Sequence, residues 1–401
     1  MFMLFLLLSI CLVQNADGFQ IKASKLQTHL QNHINFNTQL IPRNHFNTYT
    51  PSSLFGNMQS WERCEAYAEM MKKPRWGGPL GAVLRYINIG IVATFFTIIL
   101  RVINRLTVYG KKGLMKLVYH RPKGKGLLTV SNHMSVMDDP GLWSAMLPWY
   151  RIRPDQMRWS VCTDDVFFCL NGKMAPVFGG GNAVPLDRTG SLEQPLFKRF
   201  HEKLDSGSWC HIFAEGRVWQ SWRFDRNQTN VGKFKFGVGK LVAHCKESPI
   251  VVPVYHRGMD QIVPEKRLTG KARIKRPSVP YTVVPKTGKK VFMHIGQPLD
   301  FTQELNDFNS KYPGMLDQWG STAESLELYQ SIANRIREAV VALEAVSFDR
   351  DPVTNETPLI ADNCNSPTPP LLDENGAVTP VVTGATSGSG GSTGSGVPAV
   401  A

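Results

Sequence analysis

Several short apolar runs, each bounded by turn residues, set the pattern of the chain. Leu127–Ser131 (LLTVS), Trp209–Phe213 (WCHIF) and Pro249–Tyr255 (PIVVPVY) are of strand length and rich in β-favouring side chains. Asp139-Pro140 then opens GLWSAML as an N-cap with proline at the first helical position, so residues 132–138 form a strand-to-helix loop. Ser321-Thr322-Ala323-Glu324 has the form of a capping box. It starts a helix whose Leu326, Tyr329, Ile332, Ile336, Val340 and Leu343 share one stripe, the mark of a core-facing element.

Two longer apolar stretches differ from these. Phe2–Val13 has the length of a signal-peptide core, followed by Ala16-Asp17-Gly18, although no positive residue precedes it. Between Arg85 and Arg101 lie 15 uncharged residues, YINIGIVATFFTIIL. A bilayer core needs about 20 apolar residues, so this stretch is expected to dip into one leaflet as a monotopic anchor, the alternatives being a span with Arg85 and Arg101 snorkelling to opposite interfaces and a buried core helix. Arg85, Arg101, Arg105, Lys111 and Lys112 bracket it with the charges an anionic surface attracts.

The ends carry no core pattern. From Gly18 to Trp61 there is no acidic residue, and the polar composition is typical of an organellar transit segment. After Asp349 come Ser-Pro-Thr-Pro-Pro and then a Gly/Ser/Thr run from Gly384 to Gly396, read as a disordered tail. The two Asn-x-Ser/Thr sequons, at Asn227 and Asn355, receive no role.

Charge narrows the partner. Forty-five Lys plus Arg against 32 Asp plus Glu give +13. Residues 1–60 contribute three basic and one acidic residue and 350–401 one basic and five acidic, so the middle is more basic than the whole. An anionic partner is implied, nucleic acid or phospholipid headgroups. Nine Lys and Arg between Lys266 and Lys290 are interrupted by Pro277, Pro280 and Pro285, with Tyr281 as a lone aromatic. Nucleic-acid binding wants interleaved aromatics on a recognisable module. A headgroup-facing surface is therefore expected, and no nucleic acid. Seven cysteines without a C-x-x-C pair indicate neither a disulfide framework nor a zinc site.

Chemistry gathers in the 132–138 loop. His133 and Asp138, five residues apart, can meet so that the carboxylate holds one ring nitrogen and leaves the other to accept a proton from an alcohol. Ser135 lacks the G-x-S-x-G context of a nucleophile. Three further blocks follow. Gly179-Gly180-Gly181-Asn182 leads into Ala183–Leu186 and Asp187-Arg188, Ala214-Glu215-Gly216-Arg217 ends the second strand, and PIVVPVY carries a proline near its end. A glycine admits close backbone approach, and an arginine can fork onto phosphate.

In this order the four blocks resemble the signature of the glycerolipid acyltransferases: H-x-x-x-x-D, a glycine block ending in (D)R, F-P-E-G, and V-P. The runs LLTVSNHMSVMDDPGLW, WCHIFAEGRV, KFKFGVGKLVAHC, PIVVPVYHRGM and VFMHIGQPL look like the tafazzin family, phospholipid–lysophospholipid transacylases that remodel cardiolipin. The resemblance spans roughly residues 85–300, with Ala214 where the family usually has proline.

It implies an α/β fold with a mixed sheet surrounded by helices, an N-terminal membrane-contacting helix, and disordered tails. His133 would be the general base and Asp138 its orienting partner. Glu215, Gly216 and Arg217 would bind acceptor or phosphate, with Arg188 as a second phosphate contact. Acyl transfer between esters needs no metal, no cofactor and no covalent serine, only the base and hydrogen-bond donors for the oxyanion. The expected partners are phospholipid, lysophospholipid and an anionic membrane surface. The expected organisation is a leader (1–18), a transit-like segment (19–60), a membrane-associated helical segment (61–111), the catalytic domain (112–300), a C-terminal helical part (301–348) and a tail (349–401). The resemblance points to a mitochondrial membrane, and the leader to a plastid or endoplasmic reticulum. The rivals are an acyl-CoA-dependent acyltransferase acting on lysophospholipid or glycerol phosphate, and a silent membrane-binding scaffold.

Overall fold

The computed structural model describes residues 79–147, 152–153, 156–167, 175–187, 190–220, 229–267, 278–280 and 285–350, with two short ladder strands at 371–372 and 378–379. The leader, the transit-like segment, Arg188, both sequons, most of the 266–290 basic stretch and most of the C-terminal tail lie outside the described residues.

Seven strands form one sheet: β1 (Arg105–Tyr109), β2 (Leu127–Ser131), β3 (Trp159–Thr163), β4 (Ala183–Leu186), β5 (Trp209–Phe213), β6 (Ile250–Arg257) and β7 (Lys290–Ile295). Their spatial order is β1-β7-β6-β2-β5-β3-β4. β6, β2, β5, β3 and β4 run parallel, while β7 pairs antiparallel with β6 and carries β1 in parallel at the edge. The sheet is therefore mixed, as expected.

Alternation within the strands explains why both faces are covered. Leu128, Val130, Cys210, Ile212, Val251 and Tyr255 point into one buried cluster, and Leu127, Trp209, Val252 and Val254 into the other. The first is closed by α4 (Pro195–Asp205), α5 (Gly237–Ala243) and α7 (Ala323–Arg350), and the second by α1 (Pro79–Thr97), α2 (Lys111–His120) and α3 (Asp138–Met146); α6 (Thr302–Lys311) contributes Leu305 to the first. The α7 stripe packs as expected, except that Leu326 is only partly buried. Its cap sits one residue later than the sequence suggested. Thr322 Oγ1 accepts from Ser325 N and Ser325 Oγ from Thr322 N, so Thr322 and Ser325 make the reciprocal pair. Ser321 instead donates to Glu193.

α1 continues through a π-helical turn, Ile98–Ile103. Ile89, Ala93, Phe96, Ile99 and Leu100 are buried, and the helix lies against α3, where Gly141 leaves just enough room for the Phe96 ring. Val83, Ile87, Ile91, Ile98 and Val102 are exposed, Val102 by 75%. At spacings of four and seven residues they line the opposite face as an apolar stripe. Arg85 does not reach outward for an interface as the snorkelling picture has it; it is half-buried and donates to Asn182 Oδ1 at 2.5 Å. Asn182 is also the left-handed residue of the glycine-rich turn, with φ of +63°.

Candidate active site

The parallel strands β2, β5 and β6 end side by side, which sets the loops after their C-terminal ends together, where open α/β sheets bind ligands. The loop after β2 holds His133 and Asp138. Asp138 is fully buried, and its Oδ2 accepts from Met134 N at 2.7 Å, Ser135 N at 2.8 Å and His133 Nδ1 at 2.9 Å. The carboxylate thus closes its own loop around itself, a local pattern typical of aspartate. Because Nδ1 faces an acceptor it carries the proton, and Nε2 keeps its lone pair. The His133 side chain remains 19% exposed, against none of Asp138. Its ring stacks on Phe213 of β5 at 4.0 Å between centroids and 13° between planes. Ser135 is fully buried, and its Oγ accepts from Met137 N at 3.3 Å, so it serves the turn.

Asp139 and Pro140 match the expected helix entry in backbone form. Asp139 is extended (φ −116°, ψ 126°), the Asp139-Pro140 bond is cis, and the helix proper follows. The Asp139 side chain does not cap. It pairs with Arg158, whose guanidinium is 4% exposed and is pulled down by burial to about 9.

The loop after β5 turns tightly: Gly216 N donates to Phe213 O, and Ala214 O accepts from Lys235 N at 2.8 Å, so the turn holds with alanine at position 214. Gly216 has φ of +67°, and a side chain there would meet the aliphatic part of Lys235. Glu215 is the residue expected, with Gly216 and Arg217, to bind acceptor or phosphate. It is 2% exposed and sits behind the base, Oε2 accepting from His133 N at 2.8 Å and Oε1 from Gly232 N at 2.7 Å. Burial raises its carboxyl to about 8, outweighing those two N–H groups. Trp219 N donates to His133 O at 2.6 Å, so both backbone groups of the histidine are held. Arg217 is exposed, with its guanidinium over the Trp219 ring at 5.6 Å; Lys235, across Gly216, is exposed too. Both offer positive charge beside Gly216, and an anionic headgroup is what such a pair would accept.

β6 contributes groups that the linear motif did not single out. Asn132 and His256 are fully buried and doubly joined: Asn132 Nδ2 donates to His256 O at 2.8 Å and Asn132 Oδ1 accepts from His256 N at 2.9 Å. The His256 ring Nε2 lies 2.8 Å from Asn132 O and 3.5 Å from Asp138 Oδ2.

The arrangement can take a proton from a hydroxyl at a partly open imidazole. A family model described as Acyltransferase matches residues 105–257. N-acylphosphatidylethanolamine synthase of Arabidopsis thaliana is 33% identical over 222 residues, 55% of this chain and 72% of that protein. Tafazzin of Drosophila melanogaster is 33% identical over 227 residues, 56% of this chain and 53% of its own length. Tafazzin of Saccharomyces cerevisiae is 26% identical over 211 residues, covering 44% and 52%. The chain spans about half the length of these two tafazzins.

Proposed function

The chain belongs to the tafazzin family of glycerolipid acyltransferases, and from that premise we propose that it moves a fatty acyl chain from a phospholipid to a lysophospholipid hydroxyl, with His133 as the base. One observation carries the assignment: His133 Nδ1 is held at 2.9 Å by a buried carboxylate, which leaves Nε2 to face substrate. Nε2 takes the proton of the lysolipid hydroxyl as its oxygen attacks the donor ester carbonyl. The tetrahedral intermediate then collapses, and the imidazolium returns that proton to the departing lysolipid oxygen. The N–H groups of residues 133, 134, 135 and 232 already serve Asp138 and Glu215, so the oxyanion must draw on other donors.

Arg217 and Lys235 fit the headgroup phosphate, and the apolar stripe of α1 fits the acyl region of one leaflet. Monolysocardiolipin is the acceptor that a tafazzin-type exchange would use, and a mitochondrial membrane the matching location. A second reading has one observation in its favour, the 72% coverage of a relative named for N-acylphosphatidylethanolamine synthesis: the acceptor would be the amine of phosphatidylethanolamine.

Purified protein is to be given monolysocardiolipin or phosphatidylethanolamine as acceptor, and labelled phosphatidylcholine or labelled acyl-CoA as donor. The proposal expects label to pass from phosphatidylcholine into an ester that mild alkali cleaves. An alkali-stable amide product would establish the second reading, transfer only from acyl-CoA would overturn the transacylase assignment, and no transfer from either would overturn both. Seating on lipid is tested by Ile87→Ser with Val102→Ser, changes on the outward stripe; cosedimentation with anionic liposomes should fall several-fold, and unchanged binding would dismiss α1 as the anchor.

A further inference from the structure

We infer that His256 is a positioning residue for the reaction proposed above: it sets the loop that presents His133 to substrate. The geometry fixes its protonation form. Its Nε2 faces only acceptors, Asn132 O at 2.8 Å and Asp138 Oδ2 at 3.5 Å, so Nε2 carries the hydrogen. Its Nδ1 has no hydrogen-bond partner among the described residues and is fully buried, which a bare lone pair tolerates better than a second N–H would. Burial favours the same neutral form, against the pull of Asp138.

Asn132 and Asp138 bracket the loop of His133, and His256 touches both. The side chain of Asn132 takes the place of a further residue pair at the end of the parallel β2–β6 ladder, accepting and donating to the backbone of His256. The imidazole then bonds Asn132 O, the carbonyl immediately before His133, and the same Nε2 lies 3.5 Å from Asp138 Oδ2. One ring thus fixes the start of the loop and faces the carboxylate near its end. Without it, Asp138 Oδ2 keeps its loop N–H groups, but Asn132 O is left buried without that donor. The peptide entering His133 is then held, among the described residues, only by Ser131 Oγ on its carbonyl, at 3.0 Å, and by Glu215 on its N–H, so its tilt and with it the direction of Nε2 are less tightly set.

The test compares His256→Leu and His256→Gln in the full chain. Glutamine places an amide N–H near the position of Nε2, and leucine offers none. The expectation for His256→Leu is a kcat lowered roughly ten- to a hundredfold, with KM and liposome binding near wild type; His256→Gln should recover most of the loss. The His133 ring resonances, followed by heteronuclear NMR, should move in the leucine variant and return in the glutamine variant, a readout that needs no turnover and so stands even if the transacylase assignment fails. Should His256→Leu fail to fold, His256→Gln decides, since the inference expects it to keep both the resonances and kcat. A folded His256→Leu with wild-type kcat and resonances would overturn the inference, as would a folded His256→Gln with a hundredfold loss of kcat.

Discussion

Two polar clusters are set into the domain, and they are built in opposite senses. At the ends of β2, β5 and β6 the carboxyl groups of Asp138 and Glu215 are buried and the imidazole of His133 reaches the surface. Between α5 and α7 the cation is the buried partner: Lys240 is fully enclosed and donates to Glu193 at 2.7 Å and Ser321 at 3.0 Å, over the Trp319 ring at 4.5 Å, while Glu193 is 42% exposed. His244 beside it bonds Tyr329 Oη at 2.5 Å and is held down to about 4 by burial and by Lys240. In the first cluster, backbone N–H groups of two loops converge on carboxyl groups to aim one ring. In the second, side chains from separate elements hold one another, which ties α7 to α5. A perturbed histidine is thus a poor sign of catalysis by itself; an imidazole aimed by a buried carboxylate and open on its far side is a better one.

The contrast breaks most clearly at His133. His133→Ala is expected to lower turnover at least roughly 10²-fold, with thermal melting and liposome binding unchanged; wild-type turnover would remove the assigned base. Asp138→Asn should follow with a loss on the order of tenfold or more, read in kcat rather than KM, and a pure KM effect would deny it an orienting role.

Glu215 sharpens the comparison through pH. Its folded-state pKa, about 8, lies above the ordinary glutamate value, so the folded chain holds the extra proton. The stability this contributes is complete below about pH 4.3 and is lost as pH rises toward 8, at up to about 1.4 kcal/mol per pH unit. His244 acts in the other direction below its ordinary value, so the difference between wild type and Glu215→Gln is the quantity to follow by denaturant titration. That difference should fall steadily from pH 5 to 8; a flat difference would mean Glu215 is ionised throughout. Smallest is Lys240→Met, which keeps the contact with Trp319 and leaves Glu193 to water. It should cost about 1 kcal/mol of stability with activity within about twofold, and a large loss of turnover would join the two clusters functionally.

Much of the fold could be read from local pattern. LLTVS and WCHIF are strands because each fits a two-faced buried position, and Asp139-Pro140 marks the helix entry because the residue before proline is held extended. The pairing of His133 with Asp138 was legible because both lie in one seven-residue loop. What escaped depends on pairing across the sheet. His256 stands 124 residues from Asn132, and only the parallel alignment of β2 with β6 brings them together, although the histidine follows the apolar run that marked β6. That Glu215 accepts from His133 N and Gly232 N was equally out of reach, because the motif supplies residue type and order, not which way the carboxyl points. Asp139 looked like a cap because its partner Arg158 lies on the far side of a loop. The Thr322–Ser325 pair shifted the cap because serine at the third position can answer threonine as glutamate would.

The bond from Arg85 to Asn182, together with the packing of α1 on α3, makes the outward apolar stripe part of the domain's rigid body rather than a leash. On the proposed seating, the altitude of His133 above the acyl chains is set once, at folding, and cannot be adjusted during turnover. Substrates must then arrive by sideways diffusion within the lipid sheet, and a lipid buried deeper or standing prouder than that fixed height would be passed over whatever its chemistry.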